Sequence, residues 1–384
     1  MFNFQRRAWI EIDLDAVKHN YLEIKKHTNS KICCVIKADG YGHGSVPLAR
    51  LYEELGASFF AVSNIDEALK LRESGIKTPI LNLGYAPPKD VKIIEENNIS
   101  QCLYSLDYAN VLAEECEKQQ AKIKIHIKVD TGMSRLGFFC QDTQRDFSAI
   151  KEIKKACSYN CFIKEGIFTH FAVSDEGTDE FTNKQLENFL FVIDSLSDIK
   201  FELKHCANSA GIIDFKTAHF DMVRAGIIIY GLMPSFDIRN KIDLRPVLSF
   251  KTIVSHVKTI ESNSSVSYGR TFSTDKKIKI ATVPVGYADG YTRILAQSDT
   301  DVLIAGKRRK IIGRICMDQM MILLEDTDDV KIGDVVVLIG NSENERISTE
   351  EIAMHRDTIN YEVVCDIATR VPRIYLKNNV EVII

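Results

Sequence analysis

The chain has 384 residues, 45% of them hydrophobic and 27% charged, and it exceeds the roughly 250–300 residues at which one hydrophobic core stops growing, which predicts a soluble protein of two domains. Its formal net charge of −4 gives no reason to expect nucleic acid or an acidic membrane as a partner, and no apolar run approaches the roughly 18 residues of a membrane span. The 10 cysteines are scattered and form no C-x-x-C pair, which favours reduced thiols in a cytoplasmic protein over a disulfide framework.

The first predicted strand is an apolar run at 32–37 that ends on Lys37 and is followed by glycines at positions 40, 42 and 44. A buried strand that delivers an amine at its carboxyl end, followed by a glycine-loosened loop, is how α/β proteins present a reactive group. Lys37 is therefore a candidate Schiff-base former if its surroundings lower its pKa from the usual value of about 10.4. A lysine at a strand end is more often only a solvated residue, so this signal needs support from elsewhere.

Seven further runs have strand character and alternate with helix-period segments. They lie at 59–62, 79–83, 101–104, 123–129, 166–170, 201–206 and 221–224. Eight strands that alternate with helices favour an α/β fold of the (β/α)8 TIM-barrel type. A doubly wound sheet is the alternative, but no G-x-G-x-x-G pattern follows the first strand.

The clearest helix is predicted over 182–196, where one face carries apolar side chains: Leu186, Phe189, Leu190 and Ile193. This periodicity is typical of an amphipathic helix that packs on a core. Thr182, followed three residues later by Gln185, predicts a capping box that opens the helix.

After Pro246 the pattern changes to short β-rich runs separated by turn residues. The runs are 249–260, 279–284, 302–305, 310–316, 320–324, 334–339 and 380–384. Such a series predicts a mostly antiparallel β-domain at 241–384, which follows a barrel domain at 1–240 whose residues 1–10 are free to pack with the β-domain instead. The basic run 307–310 is interpreted as a solvated hairpin tip rather than a phosphate or nucleic-acid site.

Polar residues stand at the carboxyl ends of the predicted barrel strands, where the chemistry of such barrels collects. They are Lys37 and Tyr41 after the first strand, Lys128 and Arg135 in and after the fifth, His170 at the sixth, Asn208 and Ser209 after the seventh, and Arg224, Gly226 and Ile227 at the eighth. Each alone has a structural interpretation, as a core histidine, a surface arginine, a helix cap or a chain turn. Together, an amine at the first strand and small residues after the last two predict pyridoxal 5′-phosphate, with its aldehyde on Lys37 and its phosphate in the later loops. No metal site is predicted.

Motifs along nearly the whole chain resemble those of alanine racemase and occur in the same order. In the barrel they begin at Lys37 (KADGYGHG), Lys128 (KVDTGMSRLG), Thr169 (THFA), Ala207 (ANSA) and Arg224 (RAGI). In the second domain they begin at Ser267 (SYGR), Gly313 (GRICMD), Thr358 (TINYE) and Arg370 (RVPR). The resemblance implies a homodimeric cytoplasmic isomerase that interconverts L- and D-alanine and supplies D-alanine for peptidoglycan.

By this resemblance, Lys37 is expected to hold the cofactor and to act as acid and base on one face of the substrate. Tyr268, supplied by the second subunit, is expected to act on the opposite face. Racemisation requires such a pair, because a proton leaves one side of a planar carbanion and another returns to the other side. A free tyrosine ionises at about pH 10, so Tyr268 needs cationic or hydrogen-bonded neighbours to act as a base. The resemblance implies that His170 and Arg224 are these neighbours.

The remaining site residues are likewise implied by the resemblance. Arg224 is expected to donate a hydrogen bond to the pyridine nitrogen and, being a poor proton source, to keep the ring a weak electron sink. Residues expected around the cofactor phosphate are Tyr41, Ser209, Gly226, Ile227 and Tyr361, and His170 and Asn208 are also expected to bind the cofactor. Arg135 and the second subunit's Met317 are expected to contact the substrate, and Lys128 matches a position often carbamylated, where the carbamate would orient Arg135.

Other functions stay open from the sequence. An amino-acid decarboxylase on the same barrel would use the same cofactor but usually pairs the ring nitrogen with an acidic residue, where this chain has Arg224. A non-catalytic carrier of the cofactor would have no use for a second domain that carries Tyr268. Among racemases, a pocket closed by Tyr41, Tyr287 and Tyr361 favours alanine, with some serine turnover because an apolar pocket rejects an added hydroxyl by about a hundredfold at best.

Overall fold

The computed structural model describes residues 6–142 and 147–382 and divides into two compact units. The barrel unit consists of residues 16–40 and 45–246, and the β unit of residues 6–15, 41–44 and 247–382. The sequence placed the boundary near residue 240 and left residues 1–10 open, whereas the structure divides the chain after Pro246 and assigns the described part of its first 15 residues to the β unit. In the described ranges no helix is long and apolar enough to cross a membrane.

The barrel unit contains nine of the strands, which are numbered along the chain after β1 (Ala8–Asp13) of the β unit. They are β2 (Lys31–Val35), β3 (Phe59–Val62), β4 (Ile80–Asn82), β5 (Ile99–Leu103), β6 (Ile123–Asp130), β7 (Phe138–Phe139), β8 (Phe162–Phe168), β9 (Leu203–His205) and β10 (Met222–Ala225).

Eight of these strands form one parallel sheet in the order β10-β2-β3-β4-β5-β6-β8-β9, and β7 pairs only with β6. Two backbone hydrogen bonds join the ends of this order, from Asp221 N to Lys204 O at 3.1 Å and from Arg224 N to Ala207 O at 3.0 Å. The sheet is therefore a nearly closed barrel, and the predicted (β/α)8 fold is confirmed. Strands β3 and β5 are buried at every position, as expected when a parallel sheet is covered on both faces.

Eleven helical segments are numbered in the described ranges. They are α1 (Leu14–His27), α2 (Lys37–Tyr41), α3 (Ser45–Glu54), α4 (Ile65–Glu73), α5 (Val91–Glu96), α6 (Leu106–Gln119), α7 (Phe147–Cys157), α8 (Glu180–Ser195), α9 (Ser209–Asp214), α10 (Thr349–Arg356) and α11 (Asn360–Cys365).

Helix α8 corresponds to the helix predicted over 182–196, but its start and one apolar position differ from the prediction. The helix begins at Glu180, and Asp179 at its N-cap makes no side-chain capping bond. The predicted capping box is therefore wrong, because Gln185 lies one turn further into the helix. Leu190, predicted on the buried face, is 40% exposed.

The β unit contains a long, mostly antiparallel sheet and a two-stranded hairpin. Its further strands are β11 (Leu248–Ile253), β12 (His256–Ile260), β13 (Ser265–Val266), β14 (Phe272–Ser273), β15 (Ile278–Val283), β16 (Asp301–Ile304), β17 (Lys307–Ile312), β18 (Met320–Leu324), β19 (Val335–Ser342), β20 (Glu345–Ile347), β21 (Arg373–Lys377) and β22 (Val380–Val382). The long sheet has the order β12-β15-β18-β17-β16-β19-β11-β1-β21-β22, and only the β1–β21 pair is parallel. The predicted antiparallel β-domain is confirmed, although residues 383–384 of its last predicted strand lie outside the described residues.

The basic run 307–310 lies in β17 and begins directly after the turn of the β16–β17 hairpin, where Lys307 is exposed as predicted, but Arg309 in the same run is not solvated. Arg309 in this run is 8% exposed and donates from Nε and Nη2 to the two carboxylate oxygens of Asp328, at 2.6 and 2.5 Å. One residue of the run therefore forms an internal ion pair of the sheet. The pattern of charges along the sequence does not distinguish such a buried arginine from a solvated one in a turn.

Candidate active site

Lys37 lies two residues beyond β2, at the carboxyl end of the first barrel strand, and begins the short segment α2. The next three residues have left-handed backbone conformations, with φ values of 50° at Ala38, 51° at Asp39 and 63° at Gly40. A left-handed conformation costs an L-residue about 1–2 kcal/mol, so Ala38 and Asp39 are strained. Such strain persists only where the surrounding contacts enforce it, and it concentrates at functional sites.

Contacts within the barrel unit hold this left-handed turn. The Ala38 N–H donates to Glu67 Oε1 at 2.7 Å. The Asp39 carboxylate accepts from the Ser45 N–H at 3.0 Å, from the Ser45 hydroxyl at 2.9 Å and from Lys70 Nζ at 2.7 Å. The backbone directly after Lys37 is therefore fixed on both sides of the turn.

Gly42 and Gly44 allow close packing within the β unit rather than a loose loop. A Cβ atom on Gly42 would lie 2.3 Å from Val364 O, and one on Gly44 would lie 1.9 Å from the hydroxyl of Tyr375. Arg373 Nε also donates to Gly42 O at 3.0 Å. The interpretation of these glycines as loosening residues is therefore wrong, because they are needed where backbones and side chains approach closely.

Arg224 on β10 is 3% exposed and is held by four acceptors within the barrel unit. Nη1 donates to His205 Nδ1 at 2.8 Å, while Nη2 lies 2.8 Å from Thr169 O, 2.9 Å from Cys206 O and 3.1 Å from His170 Nδ1. In the described part of the chain Nε has no acceptor. Burial lowers the pKa of Arg224 to about 10, so the guanidinium remains charged at neutral pH and Nε–H is a donor that a ligand can use.

His170 follows β8 and lies within the electrostatic reach of all four predicted cationic residues. Its Nδ1 faces Arg224, and since a guanidinium only donates, His170 carries its proton on Nε2. Burial lowers the pKa of His170 well below its usual value, and the charges of Arg224, Lys128, Arg135 and Lys37 lower it further. His170 is therefore a neutral hydrogen-bond relay, and the four cations share one neighbourhood.

Lys128 on β6 is buried, with its Nζ donating to Val129 O at 3.0 Å and lying 5.3 Å from the centre of the Phe168 ring. Burial, followed by the charge of Arg224, lowers the pKa of Lys128 to about 7. A substantial fraction of the amine is then neutral at physiological pH, and the neutral form is the nucleophilic one.

Arg135 is exposed and lies in the loop that follows β6. The Asp130 carboxylate organises this loop by accepting from three successive backbone N–H groups, those of Gly132, Met133 and Ser134, at 3.0–3.1 Å. The loop is thereby fixed at its base while the Arg135 side chain remains accessible to a ligand.

Ser209 and Gly226 connect the loops that follow the last two barrel strands. The Gly226 N–H donates to Ser209 Oγ at 3.0 Å, which brings two of the predicted phosphate ligands together and leaves the hydroxyl hydrogen of Ser209 to donate elsewhere. Asn208 caps α9 by accepting from the Gly211 N–H at 2.9 Å. Ile227 begins a short 3-10 segment, Ile227–Tyr230, beside them. The predicted loops therefore meet.

Tyr41 and Tyr361 lie together in the β unit. Their ring centres are 6.1 Å apart with an interplanar angle of 42°. Tyr41 is 7% exposed, and burial raises its pKa, so its hydroxyl stays protonated and is a donor for an anion.

Tyr268 lies in the β unit with its side chain 69% exposed, although its backbone is strongly constrained. Positive φ values occur at Ser267 (66°), Gly269 (72°) and Arg270 (51°). The Ser267 hydroxyl donates to Arg314 O at 2.5 Å, and a Cβ on Gly269 would lie 2.6 Å from Arg314 Nη1. The loop therefore presents Tyr268 outward from an ordered base, and Met317 of the same unit is also exposed, at 53%.

Several polar residues around the barrel centre were not predicted from the sequence. His205 accepts from Arg224, and the Gln185 amide lies 3.1 Å from His170 O while its Oε1 accepts from the Ala172 N–H at 2.8 Å. The available signal was a polar residue inside an otherwise apolar strand, as at His205 and His126. Within residues 6–142 and 147–382, no group of three or more His, Cys, Asp or Glu side chains is placed to hold a metal ion.

Comparison with known families covers both units. The alanine racemase N-terminal domain matches residues 12–234, and the alanine racemase C-terminal domain matches residues 247–375. The chain is 45% identical to the alanine racemase of Methanococcus maripaludis over 373 residues, which span 96% of this chain and 98% of the relative. It is 43% identical to alanine racemase 1 of Clostridium acetobutylicum over 98% of this chain and 97% of the relative.

Solved structures are similar over almost the full length. The alanine racemase of Clostridium difficile 630 has a TM-score of 0.92 at 41% identity, with 98% of this chain and 97% of that chain covered. The Bacillus anthracis alanine racemase with bound L-Ala-P has a TM-score of 0.91 at 38% identity, with the same coverage. The histidine racemase of Leuconostoc mesenteroides subsp. sake has a TM-score of 0.86 at 30% identity, with 97% of this chain and 98% of that chain covered.

Proposed function

Because the chain belongs to the alanine racemase family, we propose that it interconverts L-alanine and D-alanine with pyridoxal 5′-phosphate and two bases from two subunits. The observation that carries this proposal is the environment of Arg224: a buried guanidinium, four acceptors that fix it, and an Nε–H donor with no acceptor among the described residues. Arg224, Lys128 and Lys37 all act electrostatically on His170 and so lie near one another. A charged donor with cationic neighbours suits a ligand that offers both an aromatic nitrogen and an anion.

The donor set fits the cofactor group by group. Lys37 supplies the amine, and the Arg224 Nε–H is suited to the pyridine nitrogen. The phosphate would be bound by neutral donors: the hydroxyl groups of Tyr41, Ser209 and Tyr361 and the backbone N–H of Ile227. The Gly226 N–H would support this site by donating to Ser209 Oγ. When bound, the cofactor supplies the electron sink that makes the Cα proton of an amino acid acidic.

Two proton-transfer groups are required because inversion at Cα removes a proton from one face and returns one to the other. We assign the first face to the Lys37 amine and the second to the partner subunit's Tyr268. The exposure of Tyr268 on a constrained loop supports its use by a second chain, which makes a homodimer part of the proposal. His170, neutral and with its proton on Nε2, is suited to donate a hydrogen bond to a phenolate at that position.

Substrate binding is assigned to Arg135 and the partner's Met317, with Lys128 as the group that orients Arg135. The lowered pKa of Lys128 supports carbamylation, since only a neutral amine adds carbon dioxide. A carbamate would replace repulsion between two cations with an ion pair. ¹³C-bicarbonate added to the protein should give a carbamate signal in the carbon NMR spectrum that is lost in Lys128→Met and kept in the exposed-lysine variant Lys154→Met.

The biological role that we propose is the supply of D-alanine for peptidoglycan in the cytoplasm. Serine turnover is expected at a lower rate, because an apolar pocket discriminates weakly against an added hydroxyl. The similarity to a histidine racemase makes the side-chain preference the part of the proposal that most needs measurement. A decarboxylase is disfavoured because Arg224, not a carboxylate, is the group placed for the pyridine nitrogen.

The test is incubation of the purified, cofactor-loaded protein with L-alanine, L-serine and L-histidine, followed by chiral chromatography and measurement of released carbon dioxide. D-alanine without carbon dioxide is the expected result, with less D-serine. Release of carbon dioxide, or no enantiomer from any of the three, would refute the proposal. Borohydride reduction and peptide mapping should place the cofactor on Lys37.

A further inference from the structure

A hydrogen-bond chain runs through the barrel interior from Arg224 to Glu165, away from the groups assigned above. Arg224 Nη1 lies 2.8 Å from His205 Nδ1, His205 Nε2 lies 2.9 Å from His126 Nδ1, and His126 Nε2 lies 2.9 Å from Glu165 Oε2. Four strands contribute one member each: β10, β9, β6 and β8. The two histidines are fully buried, and Arg224 and Glu165 are 3% and 7% exposed.

Arg224 and Glu165, at the two ends of this hydrogen-bond chain, fix the position of every proton between them. Arg224 can only donate, so His205 Nδ1 must accept and the proton of His205 lies on Nε2. That proton is donated to His126 Nδ1, which places the proton of His126 on Nε2, facing Glu165. An imidazolium at His126 would donate from Nδ1 to His205 Nε2, which would force the proton of His205 onto Nδ1. That proton would then face an Arg224 N–H, which cannot accept it. Both histidines are therefore neutral Nε2–H tautomers.

Glu165 is the acceptor that this order requires. Burial acts to raise the pKa of Glu165, but hydrogen bonds from His126 and Ser100 and the charge of Lys124 lower it. Lys124 Nζ lies 3.3 Å from Glu165 Oε1, and the Lys124 side chain is 34% exposed, so the hydrogen-bond chain ends close to solvent. Glu165 is therefore a carboxylate, which accepts and never donates.

The rings in the chain are also held in orientation. Phe168 stacks on His205 with ring centres 4.7 Å apart and an interplanar angle of 4°. A Cβ on Gly166 would lie 2.4 Å from His126 Nδ1, so only glycine beside Glu165 leaves room for the His126 ring. Packing and hydrogen bonding thus select the same geometry.

We propose that Glu165 and His126 are positioning residues that act through His205 to hold Arg224 as a fixed donor to the cofactor nitrogen and to His170. The assignment of the cofactor nitrogen rests on the proposed function. A purely structural role would be satisfied by either tautomer of each histidine, whereas orientation of Arg224 needs only one. Without the Glu165 carboxylate, His126 can carry its proton on Nδ1 and donate it to His205 Nε2. The proton of His205 then lies on Nδ1, and Arg224 Nη1 loses its acceptor.

The first test needs no substitution. Two-bond proton–nitrogen correlation spectra of ¹⁵N-histidine-labelled holoprotein report the tautomer of each imidazole, with assignments from single histidine substitutions. The expected result is a neutral Nε2–H form at both His126 and His205 across neutral pH. An Nδ1–H form or an imidazolium at either residue would overturn the proposal, whether or not the protein racemises alanine.

The second test compares three variants. Glu165→Leu removes the acceptor, and kcat for alanine racemisation should fall about tenfold with a shift in the absorption of the bound cofactor and loss of the pure Nε2–H state at His205. Glu165→Gln keeps an acceptor oxygen without charge and should retain the wild-type tautomers and lose less than about threefold in kcat. Asp198→Asn breaks the surface pair with Lys154 and should match the wild type.

Unchanged tautomers and unchanged kcat in Glu165→Leu would contradict the proposal. If Glu165→Leu does not fold, the wild-type and Glu165→Gln spectra still decide it. Absence of racemisation in the wild type would refute the proposed function alone, because the tautomer measurement does not depend on turnover.

Discussion

The two groups of candidate active-site residues differ in how completely they are enclosed by their own unit. In the barrel unit, Arg224 is 3% exposed and engages four acceptors. In the β unit, Tyr268 is 69% exposed and Met317 53% exposed, although the backbone around Tyr268 is as constrained as that after Lys37. The comparison teaches that a constrained backbone does not by itself enclose the side chain that it carries. Arg224 is buried by its own unit, whereas Tyr268 is left exposed by its own unit, as the proposed use of Tyr268 by a second subunit requires.

The sharpest way to break this comparison is to remove each of the two proposed bases, Lys37 and Tyr268, separately. Lys37→Ala should abolish racemisation, and Tyr268→Phe should lower kcat by about 10²–10⁴-fold, the usual contribution of a positioned acid or base. Cofactor binding should survive in Tyr268→Phe, as measured by absorbance and gel filtration. Equal activity of Tyr268→Phe and the wild type would mean that the exposed ring has no part in proton transfer.

Mixing the two variants tests whether the bases come from different chains. A heterodimer of Lys37→Ala and Tyr268→Phe would contain one intact site, so random exchange of equal amounts should restore about one quarter of wild-type activity. The control mixes Lys37→Ala with the double variant and should recover nothing. Heterodimers detected by mass spectrometry without recovered activity would show that both bases belong to one chain.

A glycine pair tests the packing that fixes the loop after Lys37. Gly42 and Gly56 both have positive φ, at 79° and 89°, but only Gly42 meets another atom, Val364 O, while Gly56 has nothing within 4 Å. Gly42→Ala should therefore lower the free energy of unfolding by about 2 kcal/mol more than Gly56→Ala. Urea denaturation measures both, and equal losses would show that the close approach is not rigid.

The buried amine on the barrel side should appear in the pH dependence of stability. Lys128 loses its proton at about pH 7 when folded but keeps it to about pH 10.4 when unfolded. The unfolded state then binds more protons between these values, so stability rises with pH by about 1 kcal/mol per unit. In buffers purged of carbon dioxide, this rise should be absent in Lys128→Met and present in Lys154→Met, and identical pH profiles for all three proteins would contradict it.

The smallest expected effect concerns the strain beside Lys37. Ala38→Gly relieves a left-handed conformation but frees the unfolded chain, so the free energy of unfolding should rise by less than about 1 kcal/mol. Ala113→Gly in the interior of α6 should lower it by about 1 kcal/mol or more. Thermal unfolding distinguishes the two signs. A decrease for Ala38→Gly would mean that the turn is not strained.

Local patterns predicted the barrel because strand and helix periods are properties of short segments. All eight predicted strands overlap observed ones, and the residues at their carboxyl ends, such as Lys37 and Arg224, stand where the barrel geometry requires. The errors are non-local: Arg309 is drawn into the sheet by Asp328, and Gln185 bonds to His170 rather than capping its own helix. Neither partner can be identified from spacing along the chain.

The hydrogen-bond chain from Arg224 through His205 and His126 to Glu165 was not predicted, for the same reason. Alternation within a strand indicates which residues point inward, but it does not tell which inward polar groups meet across a barrel. The left-handed turn after Lys37 could not be predicted either, since Ala38 is a helix former and its conformation depends on Glu67, 29 residues away.

The bond between Arg373 and Gly42 joins residues 331 apart in the chain. Ribosomal synthesis proceeds from the amino end, so residues 41–44 are made long before Val364, Arg373 and Tyr375 exist. A nascent chain therefore acquires Lys37 early and the anchors of the neighbouring loop last, so the close packing around Gly42 and Gly44 forms only after translation reaches β21.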